Sequence, residues 1–342
     1  MKILVTGGTG YIGSHTVVEL QNAGFEPIII DNLSNSSIAV LDGIEKITGK
    51  RPVFEQIDCK DINDMDLLFT KHKDIVAIIH FAASKAVGES VIKPLMYYRN
   101  NLKSMLNIME LMIKHNVENL VFSSSCTIYG QPDILPVTEK AEIKPALSPY
   151  GNTKQICEEI ITDTAHANPH INAILLRYFN PIGAHESSEI GELPIGVPQN
   201  LIPYVTQTAA GIRKQLQVFG NDYNTPDGSC IRDYINVTDL AKAHVAAVKR
   251  LLDKKGKSAV EAFNVGTGRG TTVLEVISLF EKVTGVKLNY KIVGRREGDI
   301  EKVWADASLA NNELGWHAEK SMEDTLLSAW KWEQHLKQTK TR

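Results

Sequence analysis

In the run SPYGNTK, Tyr150 and Lys154 stand four residues apart, and Ser148 with Pro149 ahead of them suits a helix N-cap and first turn. On such a helix both side chains share one face and can reach one site. A phenol with a pKa near ~10 is a poor base at neutral pH, but an ammonium close by favours its phenolate. Tyr150 could then take a proton from a hydroxyl. Pairs with this spacing also occur on solvated helices, so the pair gains meaning from its neighbours. Upstream, the strand-like NLVFSSSCTIYG ends in Ser123, Ser124 and Ser125. Those hydroxyls could bridge Tyr150 to a substrate, or line an ordinary solvated loop.

A second set of residues could hold a dinucleotide. TGGTGYIG places Gly7, Gly10 and Gly13 after an apolar run and before the helix-like SHTVVELQNAG. Glycines there let the chain turn tightly and its backbone approach a pyrophosphate, with helix N-terminal amides facing the anion. A tight turn without a ligand would use glycines too. Asp31 ends the next apolar run, PIIIDN, near the ~20-residue offset at which a carboxylate accepts from an adenosine ribose. An Asp after a strand is also common turn chemistry, but beside the glycine loop it favours NAD. The 2′-phosphate of NADP would meet a negative charge, and no Arg immediately follows Asp31. A bound nicotinium would add a second positive charge beside Tyr150.

These groups need a sheet to bring them together. Apolar runs at 3–6, 27–30, 52–54, 75–80, 120–123 and 174–177 are mostly continuous and separated by helix-length segments. That rhythm predicts a doubly wound α/β fold of the Rossmann type, its parallel sheet covered on both faces. The serine run then falls at the carboxyl edge of the sheet, where ligands bind. After about residue 180 the rhythm breaks into PIGAHESSEIGELPIGVPQN, then shorter elements, with a last helical pattern around 325–336. The expected division is 1–180 for an NAD-binding domain, to which later segments can return, and 181–342 for a smaller, mainly substrate-binding α/β domain. The order of glycine loop, acidic residue, serine-rich strand end and YxxxK matches the successive elements of one such sheet.

Composition narrows the partners. The chain has 342 residues, with 43% hydrophobic and 23% charged, a globular balance long enough for a sizeable core. A net charge of -3 and no dense Lys/Arg run argue against nucleic acid or anionic lipid. Cys59, Cys126, Cys157 and Cys230 lack the spacing of a zinc site or disulfide framework, so no metal is expected. The start carries no signal-peptide core and no run approaches about 18 apolar residues. A cytoplasmic protein acting on a small molecule is expected.

With DNLSNS, HFAASKAVGES, LRYFNPIGAH, RDYINVTDLA and RREGD, these motifs resemble the extended short-chain dehydrogenase/reductase family, within its nucleotide-sugar epimerases. The likeness runs from Met1 to the region of Trp316. It implies an NAD-dependent 4-epimerase that interconverts UDP-galactose and UDP-glucose through a transient 4-keto sugar. By that resemblance Tyr150 is the base at the 4-hydroxyl, Lys154 tunes it and holds the nicotinamide ribose, and Ser125 bonds the reacting oxygen. Cofactor contacts carried over likewise are Gly7, Gly10, Tyr11, Ile12, Gly13, Asp31, Asn32, Asn35, Ser36, Asp58, Cys59, Phe81, Ala82, Lys85, Asn100 and Phe179. Substrate contacts are Lys85, Ser125, Tyr150, Asn180, Asn200, Leu201, Phe219, Arg232, Arg296, Asp299 and Val303. Arg232 and Arg296 can offer forked donors to a diphosphate. The resemblance also implies a homodimer, joined through the helices near 97–115 and 150–167.

Departures from the pattern are small near the cofactor: Cys126 where Ala is common, Ala83 for a frequent Gly. Val303 matches a site that the family fills with Tyr or a smaller residue, and its size leaves room for N-acetylated sugars, UDP-GalNAc and UDP-GlcNAc. The other readings are a nucleotide-sugar 4,6-dehydratase, a uronate epimerase, and a non-catalytic NAD sensor. A dehydratase carries an Asp-Glu pair where this chain has Cys126-Thr127, and a sensor could dispense with Ser125, Tyr150 and Lys154.

Overall fold

The computed structural model describes residues 1–296 and 299–339. Through the first half, strands and helices alternate: β1 (Lys2–Thr6), α1 (Tyr11–Asn22), β2 (Glu26–Ile30), α2 (Val40–Thr48), β3 (Val53–Glu55), α3 (Ile62–Lys71) and β4 (Ile75–His80). Then come α4 (Val87–Ile92), α5 (Pro94–His115), β5 (Asn119–Ser123), a 3-10 turn (Cys126–Tyr129), α6 (Pro149–Ala167) and β6 (Asn172–Tyr178). The second half holds β7 (Asn180–Ile182), α7 (Leu201–Ala209), β8 (Leu216–Phe219), β9 (Ile231–Arg232), β10 (Tyr234–Asn236), α8 (Val237–Leu252) and β11 (Val260–Val265). It ends with β12 (Thr271–Thr272), α9 (Val273–Thr284), β13 (Tyr290–Val293), β14 (Lys302–Val303), α10 (Ser308–Leu314) and α11 (Met322–Thr339).

Seven parallel strands form the main sheet in the order β11-β6-β5-β4-β1-β2-β3. All six runs read as strands belong to it, and the seventh strand, β11, comes from beyond them. Both faces are covered, which is why the runs are continuous rather than alternating. Along β1, Ile3 and Val5 join one core cluster with Val17 and Leu240, whereas Leu4 joins the other with Met105 and Ile161. Each such fully buried side chain contributes roughly 1.5–3 kcal/mol.

The strand order reverses between β1 and β4, and crevices at such switch points are where doubly wound sheets bind ligands. Beyond this layer, β8 pairs with β13, β7 with β10, and β9 lies between β12 and β14. A separate core of Ile202, Val205, Val276, Phe280 and Leu326 packs α7, α9 and α11 together. Among the described residues, no helix is long and apolar enough to cross a membrane. All four cysteines are free thiols.

Candidate active site

The glycine loop leaves β1 at Gly7, whose φ of 68° lies in the left-handed region that glycine adopts without strain. Its amide donates to Ile30 O at 2.7 Å, tying the loop to the end of β2. A Cβ on Gly7 would stand 2.9 Å from the Ala82 amide nitrogen, and one on Gly13 would press into the Gly7 carbonyl and lie 2.8 Å from Gly8 Cα. The loop and the start of α1 therefore form a cradle of bare backbone at the switch point, suited to a pyrophosphate. Asp31, buried at the end of β2, accepts on Oδ1 from Leu33 N and Ser36 Oγ, both at 2.9 Å. Thr9 Oγ1 donates to Ser36 at 2.8 Å, so loop and carboxylate are one unit. These features fit a dinucleotide without a 2′-phosphate.

Around the cradle, Asn32 Nδ2 donates to Asp58 Oδ2 at 3.2 Å, and Lys60 approaches the same carboxylate at 3.4 Å, helping to hold it below the ordinary range. Asn35 is exposed, and Ile12 packs partly into the core beside the loop. Cys59 is buried, which pushes its thiol up to about 12 and leaves it inert. Phe81 N and Ala82 N bond to Thr6 O and Oγ1, and Asn100 Nδ2 reaches Ser84 Oγ at 3.2 Å.

The wall opposite is made by β5 and α6. Ser148 caps α6 by accepting from Gly151 N at 3.1 Å, and Pro149 opens its first turn. Tyr150 and Lys154 then share one buried face. Lys154 does not bond the Tyr150 hydroxyl: its Nζ donates to Ser123 O at 2.6 Å and lies 5.9 Å from the centroid of the Tyr150 ring. Burial lowers Lys154 to about 8 and pushes Tyr150 well above its ordinary value, although the Ser125 hydroxyl pulls Tyr150 the other way. In the protein alone Tyr150 is thus a neutral phenol. Its activation needs positive charge from a ligand in addition to Lys154. Ser125 sits where β5 gives way to the 3-10 turn, its Oγ accepting from Thr127 N at 3.2 Å.

The second half closes on this wall. Arg232 on β9 is near enough to favour the Cys126 thiolate, although burial still holds that thiol up at about 12. Val303 on β14 pairs with Arg232 and is buried among Ile128, Tyr129, Val137 and Phe179. Phe179 is buried in the same cluster. Asn180 keeps a buried Oδ1 with no protein partner. Further out, Arg296 donates from Nε and Nη2 to Asp299, the closest contact at 2.7 Å, and lies 5.4 Å over the Phe219 ring. Leu201 begins α7 and packs into the second core, with exposed Asn200 as its N-cap.

One participant escaped the sequence reading. Glu192 Oε1 accepts from Asn200 Nδ2 at 2.7 Å and lies 3.7 Å from Lys85 Nζ, joining residues expected at cofactor and substrate. Lys85 in turn stands 5.8 Å over the Tyr11 ring, whose hydroxyl donates to Gly183 O at 2.6 Å. A lone Glu in a glycine- and proline-rich stretch carries no periodic signal that could have marked it.

The family model described as GDP-mannose 4,6 dehydratase matches residues 4–328. A UDP-glucose 4-epimerase of Dictyostelium discoideum is 49% identical over 97% of this chain and 95% of its own. The solved UDP-glucose 4-epimerase of Stenotrophomonas maltophila, with bound NAD and formylated UDP-arabinopyranose, superposes with a TM-score of 0.95 at 47% identity, covering 99% of each chain. That of Bifidobacterium longum, in complex with NAD+ and UDP, gives 0.94 at 47% identity over 98% of each.

Proposed function

Because the chain belongs to the UDP-glucose 4-epimerases, within the wider family matched over residues 4–328, we propose that it interconverts UDP-galactose and UDP-glucose with NAD as its cofactor. The observation that carries this reading is the buried group of Tyr150, Lys154 and Ser125 beside β5, in the same sheet as the glycine cradle after β1, with Cys126 and Thr127 after the serine. A 4,6-dehydratase would need carboxylates there to eliminate water.

NAD, when bound on the cradle, supplies reversible hydride acceptance. Gly7, Gly10 and Gly13 admit its pyrophosphate, and Asp31 accepts from the adenosine ribose. Lys154 brings its charge beside Tyr150, which then takes the proton of the sugar 4-hydroxyl while Ser125 bonds the reacting oxygen. The sugar, as a transient 4-ketone, turns within the pocket, and Tyr150 returns the proton to the oxygen of the other epimer. Arg232 and Arg296 hold the diphosphate throughout, so the sugar turns while the nucleotide stays fixed. Residues 1–180 with α8 and β11 serve the cofactor, and most of 181–342 serves the sugar nucleotide. Val303, smaller than Tyr, leaves room for the N-acetyl group, so UDP-GalNAc and UDP-GlcNAc are further substrates.

The protein works in the cytoplasm as a homodimer. Its free thiols and the lack of a membrane-crossing helix among the described residues support the location. Exposed Leu95, Met96, Leu106 and Ile113 on α5, which packs against α6, support the dimer. Light scattering at micromolar concentration should give twice the chain mass, and a monomer alone would remove that part. Incubation with UDP-galactose followed by separation of the epimers tests the activity: UDP-glucose is expected, and unchanged substrate would refute it.

A further inference from the structure

Directly behind the wall lies a buried polar network that the reaction as described does not use. Glu158 follows Lys154 by four residues on α6, as Lys154 follows Tyr150, so the three form one stripe along the helix. Glu158 is 6% exposed. Its Oε1 accepts from Ser124 Oγ at 2.5 Å and from Arg177 Nε at 3.1 Å, and its Oε2 accepts from Arg177 Nη2 at 2.7 Å. Arg177, equally buried on β6, also donates to the Tyr129 hydroxyl at 3.1 Å, and Tyr129 donates to Asn264 Oδ1 at 2.7 Å. The network thus ties α6, the residue that follows β5, β6, β11 and the 3-10 turn at one point.

A bidentate ion pair with every strong acceptor used is costly to build in a core, and apolar residues would often serve stability as well. Its position suggests another use. The strand end that carries Ser125 is held at three successive residues. Ser123 O takes Lys154 Nζ, Ser124 Oγ is bound by Glu158, and Ser125 Oγ is held by Thr127 N. Resting on the assignment of Tyr150, Lys154 and Ser125 above, we propose that Glu158 is a positioning residue for the epimerisation. Through Ser124 it aims Ser125, and its charge, one helical turn from Lys154, keeps that side chain cationic.

Several groups face Lys154. On α6 itself these are Tyr150, Cys157 and Glu158; on β5, the Phe122 ring at 4.7 Å and Ser123; on β4, His80, which burial, and after it the Lys154 charge, holds neutral. Tyr178 of β6 and Tyr97 of α5 lie near enough to act on Tyr150. Glu158 is the one carboxylate in this set, and, after Cys157, it favours the protonated lysine against the effect of burial. Arg177 neutralises much of its field, so replacing Glu158 by Gln removes the helpful charge and exposes Lys154 to the guanidinium. Both changes act in the same direction.

The test compares kcat against pH for UDP-galactose in the NAD-loaded enzyme and follows the Lys154 titration by NMR of isotope-labelled lysine. Ser124→Ala removes one buried hydroxyl and is expected to lower kcat about tenfold, with KM and the pH profile unchanged. Glu158→Gln is expected to move both the basic limb and the lysine titration down by about one pH unit, and Glu158→Asp to restore them. Should the unpaired Arg177 prevent folding, Glu158→Gln with Arg177→Met removes both charges and is expected to shift the limb in the same direction. Wild-type kcat in Ser124→Ala, or an unmoved limb and titration in the variants without the carboxylate, would overturn the inference. Tyr150→Phe separates the two claims: if it stays active, the underlying assignment fails instead.

Discussion

The wall of β5 and α6 and the rim around Arg296 hold their charged groups in opposite ways. In the wall, Lys154 and Glu158 are almost wholly buried and each is fixed by partners from other elements. In the rim, the Arg296 side chain is 52% exposed, and its fork is bound by Asp299, three residues along in sequence. Groups that must act on a developing charge gain from rigidity and low dielectric. Groups that bind a diphosphate must exchange partners when it arrives, so a local, exposed carboxylate suits them. The wall should therefore govern kcat and the rim KM.

The strongest attempt to break that contrast is Tyr150→Phe. It should lower kcat by about a thousandfold, the range of a lost general base, while NAD remains bound, measured by turnover and by NAD content after desalting. Turnover within tenfold of the wild type would dissolve the distinction. Acid tests the packing around the sheet that carries the wall through stability. His80, which ends β4 and meets Thr6 Oγ1 at 2.8 Å, is lowered by burial to about 3, His15 to about 3 and His244 to about 4. The unfolded chain protonates first as pH falls through about 6.5, so stability is lost from there down to about 3 to 4. The unfolding free energy from urea melts should fall between pH 7 and pH 5 by about 2 kcal/mol per histidine, roughly 6 kcal/mol for the three, and an unchanged value would contradict the buried, neutral histidines.

At the rim, Arg296→Ala should raise KM for UDP-galactose about tenfold with little change in kcat. A fall in kcat alone would place Arg296 with the wall. The smallest effect expected on the main reaction comes from Val303→Tyr, which should spare UDP-galactose but reduce turnover of UDP-GalNAc. Equal activity on both sugars would show that the side chain only packs against Tyr129 and Phe179.

The same contrast decides what could be read from sequence. The cradle and wall were legible because regular elements carry them: β1 and β5 are continuous apolar runs, and Ser148, Tyr150 and Lys154 take their positions from helical spacing. What spacing could not give was the partner of Lys154, a backbone carbonyl on another element. Glu158 stood at the right interval, but its meaning depends on Arg177 and Ser124, which only the folded sheet brings to it. The seventh strand, Val260–Val265, is broken by Glu261 and Asn264 so that no continuous apolar run marks it, and its place is set by its pairing with β6, a contact far apart in sequence. At the rim the strands β9 and β14 have two residues each, too few for any period, so Arg232 and Val303 were reached through resemblance alone.

The most direct test of the account follows the hydrogen on the reacting carbon. UDP-galactose carrying deuterium at C4 is converted in ordinary water, and the UDP-glucose formed is analysed by NMR. A hydride kept within one closed site and returned to the same carbon predicts full retention of deuterium at C4. Washing-out of the label into solvent would contradict it.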